Sequence, residues 1–209
     1  MTTQERSVTE FAGVRSSGFF DVYVTNGPVT AVKIEAEENL QQYIEAVIEE
    51  NVLKIRTVEG YNLNPRKDVK IHITAPSFNQ VRLSGSGNII GQNTITDREK
   101  MELGIDGSGD IKIAVDAPSV ETSISGSGNV DISGTTRKFR GEINGSGDIK
   151  AMDLKAEETT IDISGSGNAN VFASVKLNVD VNGSGDVKYK GGANVSSNIR
   201  GSGSVVKVD

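Results

Sequence analysis

Seven copies of the tripeptide Gly-Ser-Gly recur from residue 85 to the end of the chain, and they constrain the fold more than any other feature. Successive copies begin 18 to 22 residues apart, with a mean of about 19, in a chain of 209 residues that contains 24 glycines. The copies begin at Gly85, Gly107, Gly126, Gly145, Gly165, Gly183 and Gly201. A fixed period of this length predicts stacked repeats, each burying its apolar side against its neighbours.

Within each copy the apolar residues alternate with polar ones. Two positions before the first glycine the chain carries Leu83, Ile105, Ile124, Ile143, Ile163, Val181 and Ile199. Isoleucine, valine or alanine follows four positions after the first glycine in every copy. A period of two predicts β-strands with one buried side. Both glycines fall on the same alternate positions as the apolar residues. We therefore expect both to face inward, at a bend where neighbouring coils approach closely.

The residue directly after each Gly-Ser-Gly alternates between Asn and Asp and indicates how the chain winds. The series is Asn88, Asp110, Asn129, Asp148, Asn168, Asp186 and Ser204. A coil of about 19 residues places Asp next to Asn, whereas a coil of about 38 residues would stack the three Asp on one another. Like charges about 4.8 Å apart repel by roughly 1 kcal/mol per pair. The pattern therefore predicts an all-β, single-stranded parallel β-helix (a β-solenoid) with about 19 residues per coil. A meander of antiparallel hairpins, with Gly-Ser-Gly as the turn, is the alternative.

The part of the chain before the repeats is expected to start and cap the helix. We predict a frayed N-terminus over 1–10 and one β-helix domain over 11–209. Within that domain, 11–80 form the N-terminal coils and a β-rich cap, and 81–209 contain the seven repeats. Asn26-Gly27 lies between two alternating segments and predicts a hairpin there. A solenoid needs such a cap because its end strands otherwise present unpaired edges.

Composition excludes several classes of function. The chain has no cysteine, which removes disulfides, thiol catalysis and cysteine-ligated metals, and its one histidine, His72, lies on the outward parity of a strand. The net charge of −6, without a basic patch, argues against nucleic acid as a partner. No apolar run approaches the roughly 20 residues that a membrane-spanning helix needs. We therefore expect no metal, no cofactor and no membrane span.

The outward Asp/Asn ladder is the candidate surface site. Its members are Asp110, Asn129, Asp148, Asn168 and Asp186. Calcium-binding β-rolls repeat their acidic ligands every nine residues, which differs from the alternation seen here. Enzymes that degrade pectin also use β-helices with clustered acids, but this chain has no tryptophan and only four tyrosines to hold sugars. We predict no catalytic residue, and interpret the ladder as a solvated column that sets the register of the coils.

The motif apolar-x-apolar-Ser-Gly-Ser-Gly-Asn/Asp-apolar resembles the head GIN domain family of putative auto-transporter adhesins. The resemblance covers essentially the whole chain after residue 10. It includes Phe19–Val24, Val32–Gln42, Val52–Ile55, Leu83–Ile89, Ile124–Ile132 and Ile161–Asn168. The resemblance implies a β-helical fold and a bacterial envelope location, which is periplasmic, outer-membrane-associated or secreted. It supplies no catalytic residues to transfer. Members of the family commonly carry a leader, and we expect none within this sequence.

The sequence and the resemblance together predict a non-enzymatic, extracytoplasmic adhesion or polysaccharide-interaction module of the cell envelope. The expected partner is a cell-surface polysaccharide or protein. Two alternatives are a polysaccharide lyase or hydrolase built on a β-helix, and a purely structural envelope domain. Fold alone does not decide among these three.

Overall fold

The computed structural model describes all residues from 1 to 209 as an all-β chain with one short 3-10 turn at Gln41–Tyr43. The strands of the N-terminal region are β1 (Thr2–Arg6), β2 (Gly13–Gly18), β3 (Asp21–Asn26), β4 (Ala31–Ala36), β5 (Ile44–Glu49), β6 (Val52–Thr57), β7 (Lys70–Ala75), β8 (Gln80–Gly85) and β9 (Asn88–Thr96). The strands of the remaining coils are β10 (Lys100–Gly107), β11 (Asp110–Asp116), β12 (Ser119–Gly126), β13 (Asn129–Gly145), β14 (Ile149–Gly165), β15 (Ala169–Phe172), β16 (Lys176–Gly183), β17 (Val187–Lys190), β18 (Asn194–Gly201) and β19 (Val205–Lys207).

The strands form two long faces that wind around one axis. The first face contains the strands that run into each Gly-Ser-Gly, in the order β5, β6, β2, β8, β10, β12, the second halves of β13 and β14, β16 and β18. The second face contains the strands that follow it, in the order β1, β4, β7, β3, β9, β11, the first halves of β13 and β14, β15, β17 and β19. From β6 and β7 onward all neighbours are parallel, so the solenoid prediction is confirmed and the hairpin meander is wrong.

The pairing register confirms the coil of about 19 residues. Gly107 pairs with Gly85 on one side and with Gly126 on the other. On the second face Asp110 pairs with Asn129, one coil further along. The stacking of Asp on Asp that a double-length coil requires does not occur. Each coil supplies one strand to each face.

The Gly-Ser-Gly segments form one corner of every coil, which we call the glycine corner. Gly126 has a φ of 129°, a left-handed conformation that residues with a side chain rarely adopt. Its carbonyl oxygen accepts hydrogen bonds from the amides of Ser146 and Gly147 in the next coil, at 2.9 and 3.2 Å. The second glycine is buried in the first six copies and half-buried in the last, while the first glycine lies at the bend and is only half-buried or exposed. The prediction that both glycines face inward is therefore correct for the second and wrong for the first.

An eighth, degenerate copy of the corner motif precedes the seven that the sequence shows. Gly18 pairs with Gly85 and shares its positive φ, and Asp21 pairs with Asn88. In this register Phe20 occupies the inward position that Gly87 holds one coil later. Phe20 is fully buried and belongs to a continuous core of 46 residues that runs from Phe11 to Val187. This aromatic ring fills the interior where the coils begin.

The order of coils along the axis differs from the order along the chain. The coil made by β2 and β3 lies between the layer of β6 and β7 and the coil of β8 and β9. The chain therefore starts with β1 at the outer edge of the cap and forms its first coil, β2 and β3, inside the stack. It then runs outward again to build the rest of the cap and returns past that first coil. The expected hairpin at Asn26-Gly27 is wrong, because β7 lies between β3 and β4 and pairs with both.

The N-terminal end of the stack is closed by antiparallel strands. β1 pairs with β4 from Thr2 to Arg6, so the prediction that residues 1–10 are frayed is wrong for this segment. Pairing with β4 satisfies the backbone groups of β1, and the Arg6 guanidinium donates to the carbonyl oxygen of Gln41 at 2.8 Å. On the first face β5 forms a hairpin with β6 through Glu50 and Asn51, both of which have positive φ.

Candidate functional site

The corner opposite the glycine corner carries a long open groove, which we call the axial groove. It encloses about 1360 Å³ and follows the axis past successive coils, where the chain crosses from the second face to the first. Five consecutive corners contribute, at 96–100, 116–118, 135–137, 155–157 and 172–174, and the lining extends past them to the β7–β8 connection at 76–80 and the β5–β6 turn at 50–52. At about 4.8 Å per coil, these five corners span about 19 Å. The length suits an extended chain better than a compact ligand.

A turn at 97–99 lies along the axial groove, between the 76–80 segment and the corners of the later coils. The coil between Gly85 and Gly107 is 22 residues long, three more than the next coil. The pairing register places two of these three in a bulge of β9 at 91–93 and one at this corner, among Asp97, Arg98 and Glu99. The Asp97 carboxylate accepts hydrogen bonds from the amides of Glu99 and Lys100, at 2.7 and 3.0 Å. This side-chain bond holds the turn in a fixed shape, as Asx turns generally do.

Hydrogen bonds between coils hold the rest of the groove floor. The Thr135 hydroxyl donates to the Asp116 carboxylate one coil away, at 2.7 Å. The buried Thr159 hydroxyl donates to the carbonyl oxygen of Phe172 at 2.8 Å. Because these bonds lie within the fold, the groove exists before any ligand binds. A preformed site loses less conformational entropy on binding than one that must be ordered.

The lining of the axial groove is polar and carries both signs of charge. Four of its 24 lining residues are hydrophobic. The acids are Glu50, Asp97, Glu99, Glu102, Asp116 and Glu157, and the bases are Arg98, Lys100, Arg137 and Lys155. The Lys155 ammonium lies 4.4 Å from the centre of the Phe172 ring, a cation–π contact that fixes both side chains at one end of the groove.

A cluster of ion pairs borders the groove on the first face. The Lys100 ammonium lies 3.0 Å from the Glu102 carboxylate and 2.7 Å from that of Glu121. Hydrogen bonding to Lys100 holds the pKa of Glu102 below its usual value, and hydrogen bonding to Glu121 and Glu102 raises the pKa of Lys100. Both pKa values therefore lie further from pH 7, which makes each group a poorer proton donor or acceptor near that pH.

The Asp/Asn ladder lies on the other side of the molecule, at the glycine corner. The Asp110 carboxylate accepts from the amide and the side-chain Nδ2 of Asn129, at 3.0 and 2.8 Å. Asn129 in turn accepts from the amide of Asp148 at 3.3 Å, and the same alternation continues through Asn168 and Asp186. The structure thus brings all five ladder residues into one column. Their polar groups bind one another across the coils.

The comparisons with known proteins establish the family. The model of the family described as "putative auto-transporter adhesin, head GIN domain" matches residues 10–193. The chain belongs to this family. No curated protein matches it.

Solved structures share the fold of this head GIN domain along its whole length. A putative adhesin from Bacteroides fragilis superposes with a TM-score of 0.91 at 24% identity, covering 99% of this chain and 96% of that one. A putative lipid binding protein from Parabacteroides distasonis gives 0.81 at 26% identity, covering 100% and 96%. A putative adhesin from Parabacteroides merdae gives 0.76 at 21% identity, covering 100% and 96%. The confirmed resemblance therefore extends to the three-dimensional fold.

Two further observations describe the head GIN domain itself. No three His, Asp or Glu side chains are grouped so as to hold a metal ion. No helix of the fold has the length and apolar character needed to cross a bilayer. His72 is exposed as predicted, and its ring stacks on that of Tyr23 with 5.0 Å between the centroids.

The residues of the axial groove were missed by reasoning from the sequence alone. Their corner has no repeated residue type, since Asp97, Pro118, Arg137 and Phe172 occupy it in different coils. One signal was available in the repeat spacing, because a coil of 22 residues among coils of about 19 must project its additional residues somewhere. The alternation of apolar and polar residues does not indicate which corner projects.

Proposed function

We propose that this head GIN domain is a non-enzymatic, extracytoplasmic adhesion module that binds an extended polysaccharide along the axial groove. The observation that carries the proposal is the open, preformed groove that follows the solenoid axis past five corners. A linear polymer can contact every corner in turn, so weak contacts add along its length. Membership of a family of putative auto-transporter adhesins supports the envelope location.

The chemistry of the lining favours a hydroxyl-rich polymer over an apolar one. The groove carries both carboxylates and cations, which suits hydrogen bonding to sugar hydroxyls in either direction. The partly exposed Phe172 ring supplies an apolar surface at one end, next to the Lys155 ammonium. Sugar rings combine apolar C–H faces with polar edges, and these two side chains match that combination.

The charges of the groove favour binding over catalysis. A general acid or base works best with a pKa near the operating pH. The pKa shifts at Glu102 and Lys100 lead away from neutral pH, since the pKa of the acid falls and that of the base rises. The Asp97 carboxylate is already engaged by two backbone amides and the Asp116 carboxylate by a hydroxyl. These four groups serve to hold the groove in shape.

A glycan-array screen of the purified chain, with and without calcium, tests the proposal. We expect binding to extended glycans that is weakened in Phe172→Ala and in Arg137→Ala. The matched control is Lys112→Ala, which removes an exposed cation on the outer second face, paired with Asp131 and away from the groove. Glycan binding unaffected by both groove variants would overturn the assignment of the groove.

Parallel assays address the other functions. Release of reducing ends or unsaturated products from pectin, lost in Asp148→Asn, would contradict the adhesion module. It would show instead that the protein is an enzyme whose activity depends on the ladder. Because a structural neighbour is named a putative lipid binding protein, liposomes are included as a probe. Binding to liposomes with no binding to any glycan would contradict the proposal.

A further inference from the structure

The two ends of the solenoid differ in how well they are covered. At the C-terminal end β18 pairs only with β16, and its inward residues Val195 and Ile199 are 40% and 37% exposed. The residues at the same positions one coil earlier, Leu177 and Val181, are fully buried. The last coil therefore presents uncovered core residues next to an unpaired strand edge, an arrangement that favours addition of another strand.

The N-terminal end offers a matching pair of strands. Its outermost strands are β5 on the first face and β1 on the second, and each pairs with one neighbour only. The inward side chains of Ala46 and Ile48 on β5 are only partly buried against the core. Stacking one molecule on another along the axis places β5 over β18 and β1 over β19. Both pairings continue a face that already exists.

The strand directions are compatible with this stacking. β5 is antiparallel to β6, and hence to β18, so the contact on the first face is antiparallel. In the register that pairs Val195 with Ile48, Ile199 meets Ile44, and all four side chains point into the joined core. Arg200 then lies diagonally across from Glu45 of the other molecule, two positions along the strand and on the same outward side. On the second face β1 has the direction of β7, since both are antiparallel to β4, and it meets β19 in parallel.

The charges at the two ends have opposite signs. Six glutamates and no lysine or arginine occur between residues 34 and 53, whereas four bases and no acid occur between 187 and 208. A two-fold contact between two C-terminal ends would bring base against base. A head-to-tail contact instead brings the basic end against the acidic end, and complementary charge favours that orientation.

We propose that this protein assembles head to tail, with the C-terminal coil of one molecule docked on the N-terminal cap of a second copy. Such a contact joins two different surfaces and leaves both outer ends free. It therefore repeats, and it builds an open filament unless rotation closes it into a ring. Successive axial grooves would then lie along one continuous stack of coils.

Disulfide trapping tests the contact directly, because the chain has no cysteine of its own. Paired strands bring opposed Cα atoms to about 5 Å, within reach of a disulfide. We expect neither Val195→Cys nor Ile48→Cys alone to cross-link, their mixture to give a covalent dimer and nothing larger, and the doubly substituted chain to give a ladder of higher species. A dimer from Val195→Cys alone would indicate a two-fold contact and overturn the proposal. Absence of any cross-link in the mixture would overturn it as well.

Sedimentation velocity over a concentration series provides the second readout. We expect the mass of the unmodified chain to rise from 22.1 kDa past that of a dimer, and Ile199→Asp to shift this rise to at least about tenfold higher concentration. Val175→Asp is the matched control, since Val175 is 55% exposed but lies at the groove corner of an earlier coil. A monomer at all concentrations, a plateau at the dimer, or equal effects of the two variants would each contradict head-to-tail assembly.

Discussion

A methyl group added at Gly147 would lie far inside van der Waals distance of the carbonyl oxygen of Gly128 and 2.9 Å from Cγ2 of Ile124. Neither neighbour can yield, because one is backbone and the other lies in the fully buried column of the core. At residue scale, the second glycine of each copy is therefore required by close approach between coils. The first glycine meets the same close approach to the preceding coil, and its positive φ is a second reason for glycine there.

We predict that Gly147→Ala destabilises the protein by about 3 kcal/mol or more, at the upper end of overpacking costs. For a domain of this size the melting temperature should then fall by roughly 6–12 °C. Gly192→Ala is the control, since its nearest neighbour would be 3.7 Å away and its φ is not positive. Equal melting temperatures for the two variants would show that the corners do not approach as closely as described.

Two buried threonines give a matched pair of opposite predictions. The Thr122 hydroxyl is buried without a hydrogen-bond partner, whereas the Thr159 hydroxyl donates to a carbonyl oxygen. Thr122→Val should stabilise the fold by about 1 kcal/mol because an unpaired buried polar group is removed. Thr159→Val should destabilise it by about 1–2 kcal/mol because the carbonyl of Phe172 loses its donor. Urea unfolding measures both changes, and a change of the same sign in both variants would refute the hydrogen-bond assignment.

At the scale of elements, the columns along the outside of the coils set the register. In one column Asp alternates with Asn, and in the neighbouring column Asp131 lies between Lys112 and Lys150. Both arrangements avoid placing like charges on adjacent strands. A slip of the coils by one repeat would lose these pairings in every coil at once.

Asn129→Asp tests this element directly. It places a third carboxylate between those of Asp110 and Asp148 and removes the hydrogen bond from Nδ2. We expect a loss of about 2 kcal/mol at neutral pH, from two repulsive pairs of about 1 kcal/mol each. The loss should shrink on acidification as the carboxylates protonate. Asn170→Asp is the control, since it faces Lys150 and Lys188 and should be neutral or slightly stabilising. Equal destabilisation by both variants would exclude charge as the cause.

The ion-pair cluster beside the groove predicts a pH dependence. Lys100 lowers the pKa of Glu102 in the folded state. The ionised carboxylate therefore stabilises the fold at pH values above its usual pKa of 4.5. That contribution is lost as the pH falls through the lowered pKa. Glu102→Gln should therefore be less stable than the unmodified chain at pH 7, and the difference should vanish in strong acid. Urea unfolding at both pH values provides the measurement, and a difference that is independent of pH would contradict the ion-pair account.

The repeats allow the coil, its length and the ladder to be predicted because one short motif recurs in register. The N-terminal region could not be predicted in the same way, since Phe19 and Phe20 replace the Ser-Gly of the motif in the first coil. The return of β7 between β3 and β4 depends on long-range pairing that no local pattern encodes. The ladder was found from its alternation. The axial groove was not, because its corners vary in length and residue type from coil to coil.

At the scale of the whole molecule, the solenoid separates two functions onto opposite corners. The glycine corner packs tightly and carries a ladder whose polar groups bind one another. The opposite corner varies in residue type from coil to coil and opens into the axial groove. That the ladder is a binding surface, and that residues 11–209 behave as one domain, stay predictions. The groove is the surface whose shape and polarity best fit an extended ligand.

The most direct test of the groove is the dependence of affinity on ligand length. We propose titration calorimetry with an oligosaccharide series, from disaccharide to octasaccharide, prepared from the strongest ligand of the glycan array. The groove predicts that affinity rises with length until the chain fills the five corners and then levels off. It also predicts that Phe172→Ala weakens the long oligosaccharides while Asp148→Ala, in the ladder, leaves them unchanged. Equal affinity for the shortest and longest members, or binding lost in Asp148→Ala and retained in Phe172→Ala, would contradict a groove-binding adhesin.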